Sequence, residues 1–431
     1  MAAVEAVVIG AGNRGRFTYG AFARAHPELL RVVALAEPNE ERRQAVAAEH
    51  GLGHDRAMHG WAELFERPQL ASVAIIATGD TQHVEPALAA LARGYHVLLE
   101  KPIAPEAADC VRIVQAAERA GRILQIGHVL RYTPFYTSVH EVLESGRLGR
   151  ILAVDMKEHV AYWHMTHSYV RGKFRNRSIA APIVLAKTCH DLDLLTWFVG
   201  SPCRRVASFG SLSHFRGSDA PAGAPQRCTD GCPVQERCPH DAVRLYTGPD
   251  ERIARLWPWT DVSLDPSRAA RRRALETGPY GRCVYHCDND VPDHQVLAAE
   301  FESGATATFT MQGLASEERR TIRITGTEGE LRGVFQDGVI EVSRHGALDK
   351  ERLSTGGSIF GHYGGDDGLL RHFVDVITRG AMGEVRASGR VSLESHLLGF
   401  AAEEARSAGR VVEMAAFRQR AEKSASTGPG A

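Results

Sequence analysis

A glycine-rich turn follows the first apolar run of this 431-residue chain, Val4–Ile9. The glycines of Gly10-x-Gly12-x-x-Gly15 suit a dinucleotide pyrophosphate. The first allows a tight turn, the second lets the backbone approach a phosphate, and the third lets a helix pack closely on the strand. The helix that begins there would add N–H donors and positive potential, and Asn13 and Arg14 would face the same ligand. A structural turn in another type of α/β protein is the alternative interpretation.

A carboxylate stands where a dinucleotide's adenosine ribose would lie. Glu37 ends the next apolar run, about twenty residues after the turn. A carboxylate there accepts hydrogen bonds from the ribose hydroxyls and repels a 2′-phosphate. The sequence therefore predicts NAD rather than NADP. Arg42 and Arg43 follow closely and keep NADP open as the alternative.

A lysine ends another apolar run, in Glu100-Lys101-Pro102. Ligands of open parallel sheets bind at the carboxyl ends of the strands. Oxidation of a secondary alcohol requires removal of the hydroxyl proton while hydride leaves the carbon, and the reverse reaction needs a donor to the ketone oxygen. An ammonium beside a cationic nicotinamide could polarise that oxygen, and the nearby charge would lower its pKa. We therefore expect Lys101 to be catalytic. A surface lysine before a proline turn is the alternative.

Two further segments are expected beside the same cofactor. The loop Thr78–His83 follows a buried strand, so Thr78, Asp80 and His83 would meet the ribose and nicotinamide side. The same loop can also be an ordinary helix entry with Asp80 or Thr81 as the N-cap, and both roles are compatible. His128 follows the last strand of this half of the chain, and its expected contact with the cofactor, beside that of Glu100, is what the family resemblance given next implies.

These motifs resemble those of the glucose–fructose oxidoreductase / inositol dehydrogenase (Gfo/Idh/MocA) family. The resemblance rests on segments 10–15, 78–83 and above all 100–102, and it extends to Arg147-Leu148-Gly149 and to the turn 326–329. It implies an NAD(P)-binding Rossmann domain followed by an α/β domain with an open sheet. A sugar or polyol would sit between the domains with the lysine of Glu-Lys-Pro near the nicotinamide. The resemblance also implies a homodimer or homotetramer formed through the open sheet.

The segment after Ala186 carries the second group of catalytic candidates. On a helix, Lys187, His190 and Asp191 would share one face. By the resemblance, His190 is the acid–base partner of the Glu-Lys-Pro lysine, and Asp193 completes a His-x-x-Asp motif. The chain departs from the family pattern at Ala186, where an aspartate is common.

We expect Lys101 and His190 to handle the proton and Lys187 to bind or polarise the substrate. The alternative is a plain Lys187–Asp191 ion pair with a structural His190. Other polar residues are expected to line the substrate cleft, each with a structural role as its alternative: Arg131, Tyr132, His164, His167, Asp193 and His294.

Five cysteines fall in a Pro-, Gly- and Arg-rich stretch, 216–290, which we interpret as an insertion: Cys228, Cys232, Cys238, Cys283 and Cys287. Four of the five thiolates could hold a structural Zn²⁺ and fix a segment that lacks an apolar core of its own. Free thiols, a disulfide and a redox cluster are the alternatives.

The elements that position these residues follow from the apolar patterning. Continuous apolar runs alternate with helical stretches over 4–126, which predicts a parallel sheet covered on both faces. Longer strands with hairpin turns then predict a second, mostly antiparallel sheet with some helices packed against it, and the family resemblance implies that this sheet of the α/β domain is open. We expect a Rossmann domain at 1–127, a substrate and oligomerisation domain at 128–418, and a flexible tail at 419–431. A helix is predicted over Pro105–Ala120, with the proline in its first turn.

Composition excludes several classes of protein. The formal net charge is −1, so nothing indicates nucleic acid or an anionic membrane as a partner. No apolar run reaches the ~18 residues of a membrane span. The chain enters a strand at once with Glu5 inside it, which is unlike a signal peptide. A cytoplasmic, reducing location is the expectation, with thiols rather than disulfides.

Together the residues favour an NAD-dependent oxidoreductase acting on a secondary hydroxyl of a sugar, polyol or glycoside. A second hypothesis uses the same scaffold for transient oxidation. The neighbouring C–H bond is acidified, a leaving group is eliminated and the hydride returns, giving net glycoside cleavage or epimerisation. A non-catalytic NAD-binding regulator is the third, and the presence of Lys101 and His190 argues against it.

Overall fold

The computed structural model describes residues 2–356 and 362–427. Its strands, in chain order, are β1 (Val4–Ile9), β2 (Leu30–Ala36), β3 (Ala57–Met58), β4 (Val73–Ile76), β5 (His96–Leu99), β6 (Leu124–Ile126), β7 (Ile151–Ala161), β8 (Cys203–Ser211), β9 (His294–Phe301), β10 (Thr306–Ala315), β11 (Arg319–Gly326), β12 (Gly329–Val334), β13 (Val339–Arg344), β14 (Lys350–Ser354) and β15 (Val412–Glu413).

The helices, in the same order, are α1 (Ala21–Ala25), α2 (Glu40–His50), α3 (Trp61–Glu66), α4 (Val84–Ala92), α5 (Ala107–Ala120), α6 (Pro134–Glu144), α7 (Tyr162–His164), α8 (Ile183–Ala186), α9 (Cys189–Val199), α10 (Ala242–Thr247), α11 (Trp259–Val262), α12 (Arg268–Thr277), α13 (Gly365–Arg379), α14 (Gly389–Ala408) and α15 (Met414–Thr427). Across the described residues no helix has the length and apolar character that a membrane crossing needs.

The first sheet is parallel and has the strand order β3-β2-β1-β4-β5-β6. All four residues of β4 are buried, as expected for a strand covered by helices on both faces. The strand order reverses between β1 and β4, so the crevice for a ligand opens at the carboxyl ends of these two strands. The glycine-rich turn after β1 lies at that point.

Helix α13 belongs to the first sheet although it lies far along the chain. Leu369 and Phe373 are fully buried in one cluster with Val4 and Val8 of β1. The layer on this face of the parallel sheet is therefore completed by a segment that follows β7 to β14 of the second sheet.

The second sheet has nine strands in the order β14-β13-β12-β11-β7-β10-β9-β8-β15. Only β7 and β10 pair in parallel, and every other neighbouring pair is antiparallel. Burial alternates along β9 and β10, which marks one covered and one open face. Helices α9 and α14 pack against the covered face. This architecture confirms the predicted fold class.

Local sequence explains how several helices begin and end. Thr133 caps α6 by accepting a hydrogen bond from the Tyr136 N–H, and a proline occupies the first turn. Helix α5 ends at Gly121, whose φ of 59° is left-handed. The predicted start of α5 was early: Pro105 lies before the helix, and Glu106 holds its N-cap position.

The predicted flexible tail is wrong for residues 419–427. Helix α15 runs through them, with Ala421 6% and Ala425 4% exposed. These alanines and Phe417 recur every four residues and so form one narrow apolar stripe, which packs against α5. Residues 428–431 of the predicted tail lie outside the described residues.

The insertion has a small core of its own, contrary to expectation. Cys228, Ala242, Tyr246 and Leu275 form a buried cluster separate from the main cores. Arg171, fully buried, joins the insertion to the second domain by donating to the carbonyls of Arg282 and His240.

Candidate active site

The glycine-rich turn has the shape that a pyrophosphate requires. Gly10 has φ of 93°, and a Cβ there would lie 2.7 Å from the Ala77 carbonyl oxygen. A Cβ on Gly15 would lie 1.9 Å from the carbonyl oxygen of Gly10. A Cβ on Gly12 would meet no described atom within 4 Å. The outer glycines therefore serve close packing, whereas the middle one faces open space that a phosphate group can enter.

Glu37 lies beside this turn and is 5% exposed. Its carboxylate accepts hydrogen bonds from the N–H groups of Ala11 at 2.6 Å and Asn39 at 2.9 Å. Arg43 donates to the Glu37 carbonyl at 2.7 Å and also pairs with Glu40. Both oxygens of the Glu37 carboxylate thus accept from backbone N–H groups beside the turn, and Arg43 is engaged with protein groups rather than held open for a 2′-phosphate.

Arg14 and Glu100, both predicted cofactor contacts, bind each other across the strand ends. The Tyr19 hydroxyl also donates to Glu100, at 2.5 Å, and Arg14 Nη1 lies 2.8 Å from Asp366 Oδ1. Burial alone would raise the pKa of Glu100, but Arg14, the Tyr19 hydroxyl and Lys101 together outweigh burial, and the pKa is lowered. An ionised carboxylate therefore fixes the arginine of the turn.

The loop after β4 lies against the Glu-Lys-Pro segment. His83 Nδ1 is 2.8 Å from the Pro102 carbonyl oxygen, and Thr78 donates to the Gln82 carbonyl at 3.1 Å. Asp80 is buried, and its Oδ2 has no hydrogen-bond partner among residues 2–356 and 362–427. A buried unpartnered carboxylate oxygen is costly, so it is fitted to receive a donor from a ligand.

Lys101 reaches across to the second domain. Its Nζ donates to the Ala186 carbonyl oxygen at 3.0 Å. The family's usual aspartate side chain is absent at that position, and a backbone carbonyl there holds the ammonium instead. Helix α8 ends at Ala186 and α9 begins at Cys189, so the expected continuous helix is broken.

His190 stands in the first turn of α9 as a neutral imidazole. Burial, and next the Lys101 ammonium, hold its pKa well below the usual value. Its Nδ1 has no hydrogen-bond partner in the described part of the chain. The His128 ring lies 5.6 Å away and the His362 ring 6.2 Å away, centroid to centroid. A neutral imidazole beside an ammonium can accept a proton from a hydroxyl group.

Lys187 lies in the break between α8 and α9 and does not pair with Asp191, contrary to the alternative weighed above. Its Nζ is 3.0 Å from Glu158 Oε1 and 3.7 Å from Glu318 Oε2. His164 Nδ1 contacts Glu318 Oε1 at 2.7 Å. Burial would raise the pKa of Glu318, but Lys187 and His164 lower it to about 2.

Glu158 and Arg320 face each other on neighbouring strands β7 and β11. Arg320 Nε lies 2.6 Å from Glu158 Oε2 and 2.8 Å from Asp191 Oδ1. Burial raises the pKa of Glu158 to about 7, because loss of water outweighs the attraction of Arg320 and Lys187. This carboxyl can therefore hold or release a proton near neutral pH, 3.0 Å from the ammonium of Lys187.

Two of the predicted cleft residues bind each other instead. Arg131 Nε and Nη2 donate to the two carboxylate oxygens of Asp193 at 2.5 and 2.9 Å, and both residues are almost fully buried. A satisfied bidentate pair has little capacity left for a substrate. Tyr132 packs beside His372 in the core under α13.

His167 and His294 also lie outside the group around Lys101. His167 Nδ1 contacts the Tyr246 hydroxyl at 2.8 Å, and its ring stacks on Tyr280 at 4.6 Å, so it anchors the insertion. His294 begins β9 with its side chain 54% exposed and paired with Asp293. His164, by contrast, stays in the Lys187 network through Glu318.

The predicted zinc site is not supported. The eight cysteines are free thiols. Cys228, Cys232, Cys238 and Cys283 line one small cavity. Within 2–356 and 362–427, however, no group of three or more His, Cys, Asp or Glu side chains is arranged to hold a metal ion.

Sequence reasoning missed several charged residues of this site. Glu158 carries a detectable signal, because it occupies an inward position of an alternating strand together with Val154, Met156 and Val160. Arg320 likewise shares the inward face of β11 with Ile322. His362, Asp366 and Glu318 lie at element ends, and no periodicity marks them.

Comparison with known proteins agrees with this arrangement. Residues 4–128 match the oxidoreductase family with the NAD-binding Rossmann fold, GFO_IDH_MocA, and residues 140–413 match the C-terminal α/β domain of the same family. The inositol 2-dehydrogenase of Streptomyces avermitilis is 37% identical over 179 residues, 41% of this chain and 48% of that enzyme. The 1,5-anhydro-D-fructose reductase of Ensifer adhaerens is 30% identical over 43% of this chain and 53% of its own.

The chain thus aligns with about half the length of these two curated relatives. Among solved structures, levoglucosan dehydrogenase in complex with NADH and levoglucosan superposes with a TM-score of 0.71. At 18% identity, over 96% of this chain and 99% of that one, this likeness shows the fold. The two matched domains, the strand orders and the Glu-Lys-Pro lysine lead to one conclusion: the chain belongs to the Gfo/Idh/MocA oxidoreductase family.

Proposed function

We propose that this protein is an NAD-dependent oxidoreductase that acts on a secondary hydroxyl of a sugar, polyol or glycoside. The observation that carries the proposal is the Lys101 ammonium, which donates to the Ala186 carbonyl and helps to lower the pKa of the buried His190, at the carboxyl edge of the dinucleotide-binding sheet. Relatives named inositol 2-dehydrogenase and 1,5-anhydro-D-fructose reductase support a polyol or sugar substrate.

The residues of the dinucleotide site fit NAD. The open space at Gly12 suits the pyrophosphate, and Glu37 suits the ribose hydroxyls. Asp80 offers, on the nicotinamide side beside Thr78 and His83, a carboxylate oxygen that has no hydrogen-bond partner among the described residues. When bound, NAD supplies the hydride acceptor for the alcohol carbon.

The protein's own groups handle the proton and the charge. His190, neutral at working pH, accepts the hydroxyl proton, while the Lys101 ammonium donates a hydrogen bond to the oxygen that gains negative charge. In the reverse direction the protonated imidazole returns that proton to the ketone oxygen. Lys187, fixed by Glu158 and Glu318, orients a second hydroxyl of the substrate.

A panel of free sugars, polyols and aryl glycosides, followed for both NADH and released aglycone, tests this function. For a substrate found in the panel, Lys101→Met should lower kcat by about 10²–10⁴-fold while NADH still binds. Lys423→Met, at an exposed position on α15, is the matched control and should leave kcat unchanged. Equal turnover by the Lys101→Met variant would remove Lys101 from the mechanism.

Transient oxidation is the second candidate function, and Glu158 is the observation that favours it. Ala186 stands in place of the family's aspartate, while Lys187 and a carboxyl with a pKa of about 7 form an additional acid–base pair close by. After oxidation at one carbon, such a pair can remove the proton from the next carbon and so expel a leaving group. Aglycone release with no net NADH, and exchange of that proton with solvent deuterium, would establish this activity. NAD binding without turnover of any panel compound would instead indicate a regulator.

We also propose that two copies associate through the open face of the second sheet. Phe209 of β8 is 69% exposed and lies opposite Val296 of β9, which is 39% exposed. Adjacent exposed apolar residues on a sheet face favour burial against another surface. Light scattering on the purified protein measures the number of copies, from monomer to tetramer.

A further inference from the structure

A chain of polar contacts links the glycine-rich turn to a segment that precedes α13. Arg14 Nη1 lies 2.8 Å from Asp366 Oδ1, and Asp366 Oδ2 lies 2.9 Å from His362 Nδ1. The His362 ring is 6.2 Å from that of His190. The contacts therefore run from the dinucleotide-binding backbone to the edge of the catalytic pocket.

The backbone at residues 362 and 363, where this series of contacts ends, is strained. His362 has φ of 47° and Tyr363 has φ of 57°, a left-handed conformation that costs free energy in residues other than glycine. The Tyr363 ring packs against Phe335 at 4.6 Å, and Asp366 holds the His362 ring. Strain of this kind persists only where surrounding contacts impose it, and it concentrates at ligand clamps and switch regions.

Asp366, the central residue of this series of contacts, is ionised. Burial would raise the pKa of Asp366, but Arg14 and then His362 lower it far below its ordinary range. Arg14 also binds Glu100, so its guanidinium is held from two sides. The carboxylate of Asp366 joins a group on the first strand's turn to a side chain beside His190.

We propose that Arg14, Asp366 and His362 form a relay by which dinucleotide binding at the glycine-rich turn orders His362 over the catalytic pocket. A bound pyrophosphate restricts the motion of the turn that carries Arg14. Because Arg14 binds Asp366, this restriction extends to the strained segment. Because coupling between sites is reciprocal, the relay also slows loss of the dinucleotide. The inference rests on the proposed function only in taking NAD as the ligand of the turn.

Hydrogen–deuterium exchange over residues 362–366 tests the relay, with NAD as the probe. In the native chain NAD should slow exchange of these amides by about tenfold, the usual scale of such coupling. In Asp366→Asn the protection should be lost. Asp367→Asn is the matched control, since that neighbouring carboxylate is half exposed and pairs with Arg371. It should keep the protection.

NADH release, measured by stopped-flow fluorescence, gives a second readout. Asp366→Asn should release NADH about tenfold faster than the native chain, whereas Asp367→Asn should match the native rate. If Asp366→Asn does not fold, His362→Asn replaces it, because asparagine tolerates the left-handed backbone and the site is 46% exposed. That variant should lose the NAD-dependent protection and, because the coupling is reciprocal, should also release NADH faster than the native chain.

The outcomes separate the two proposals. A native chain that binds neither NAD nor NADH would overturn the proposed function. Normal binding with equal protection in the native chain, Asp366→Asn and His362→Asn would overturn the relay and leave the proposed function intact.

Discussion

The stability of a Glu158→Gln variant, compared with that of the native chain, should increase as the pH rises. The glutamine keeps the shape of a protonated carboxyl but cannot ionise. Burial raises the pKa of Glu158 from 4.5 to about 7 in the folded protein. The folded state therefore holds this proton more tightly than the unfolded state, so the stabilising effect is complete below pH 4.5 and is lost as the pH rises through 7. Each pH unit between 4.5 and 7 lowers the free energy of unfolding of the native chain by about 1.4 kcal/mol relative to the variant. Across this range the native chain therefore loses about 3 kcal/mol of stability relative to the variant.

Urea unfolding of the native chain and Glu158→Gln at about pH 5 and about pH 8 measures this difference. Glu330→Gln on β12 is the matched control, because its ion pairs with Arg323 and Arg332 involve largely exposed guanidinium groups. The control should change by less than about 1 kcal/mol at either pH. A larger loss of stability in Glu158→Gln at pH 8 than at pH 5 would refute the reasoning. It would mean that Lys187 and Arg320 outweigh the burial of the carboxylate.

The remaining predictions concern acid, chelation and assembly. Burial lowers the pKa of His396 to about 3 and those of His164 and His240 to about 4. Their neutral forms stabilise the fold, so stability should fall as the pH drops below 6.5. Protonation of His396 alone should lower the free energy of unfolding by about 3 kcal/mol between pH 6.5 and pH 4. Protonation of Glu158 raises that free energy by about as much as one such histidine lowers it. Thermal unfolding across this pH range checks the direction. Excess EDTA should leave Tm unchanged, since no group of three or more His, Cys, Asp or Glu side chains in the described part of the chain is arranged to hold a metal ion, whereas a chelator-dependent drop would restore the metal hypothesis. Phe209→Glu should shift the light-scattering mass to that of a single chain without lowering Tm, and an unchanged mass would exclude this face as the interface.

The sequence predicted the parts of the fold that rest on local patterning. The continuous apolar run of β4 indicated burial on both faces, and longer strands joined by hairpin turns indicated a largely antiparallel second sheet. The sequence predicted that glycines are required in the first turn because the backbone packs closely there. The structure shows this close packing at Gly10 and Gly15. Short edge strands such as β14 and β15 carry too few residues for a periodic signal and were missed.

The candidate site was harder to predict because its charges pair over long sequence separations. Spacing suggested that Lys187 would meet Asp191 on one helix, yet the helix breaks and both residues find partners on strands β7 and β11. Arg131 and Asp193 looked available for a substrate, but 62 positions apart they bind each other. Helical or strand periodicity reports which face a residue occupies, not which distant charge will neutralise it.

The placement of α13 on the parallel sheet has a consequence for how the polypeptide matures. Leu369 and Phe373 cover β1 residues that would otherwise face water, and each buried side chain of this size contributes about 1.5–3 kcal/mol. During synthesis the nucleotide-binding half emerges first, yet its apolar surface stays uncovered until nearly the entire polypeptide has left the ribosome. A truncated protein ending at residue 127 should therefore aggregate, and adding a peptide that spans residues 362–380 should rescue its solubility.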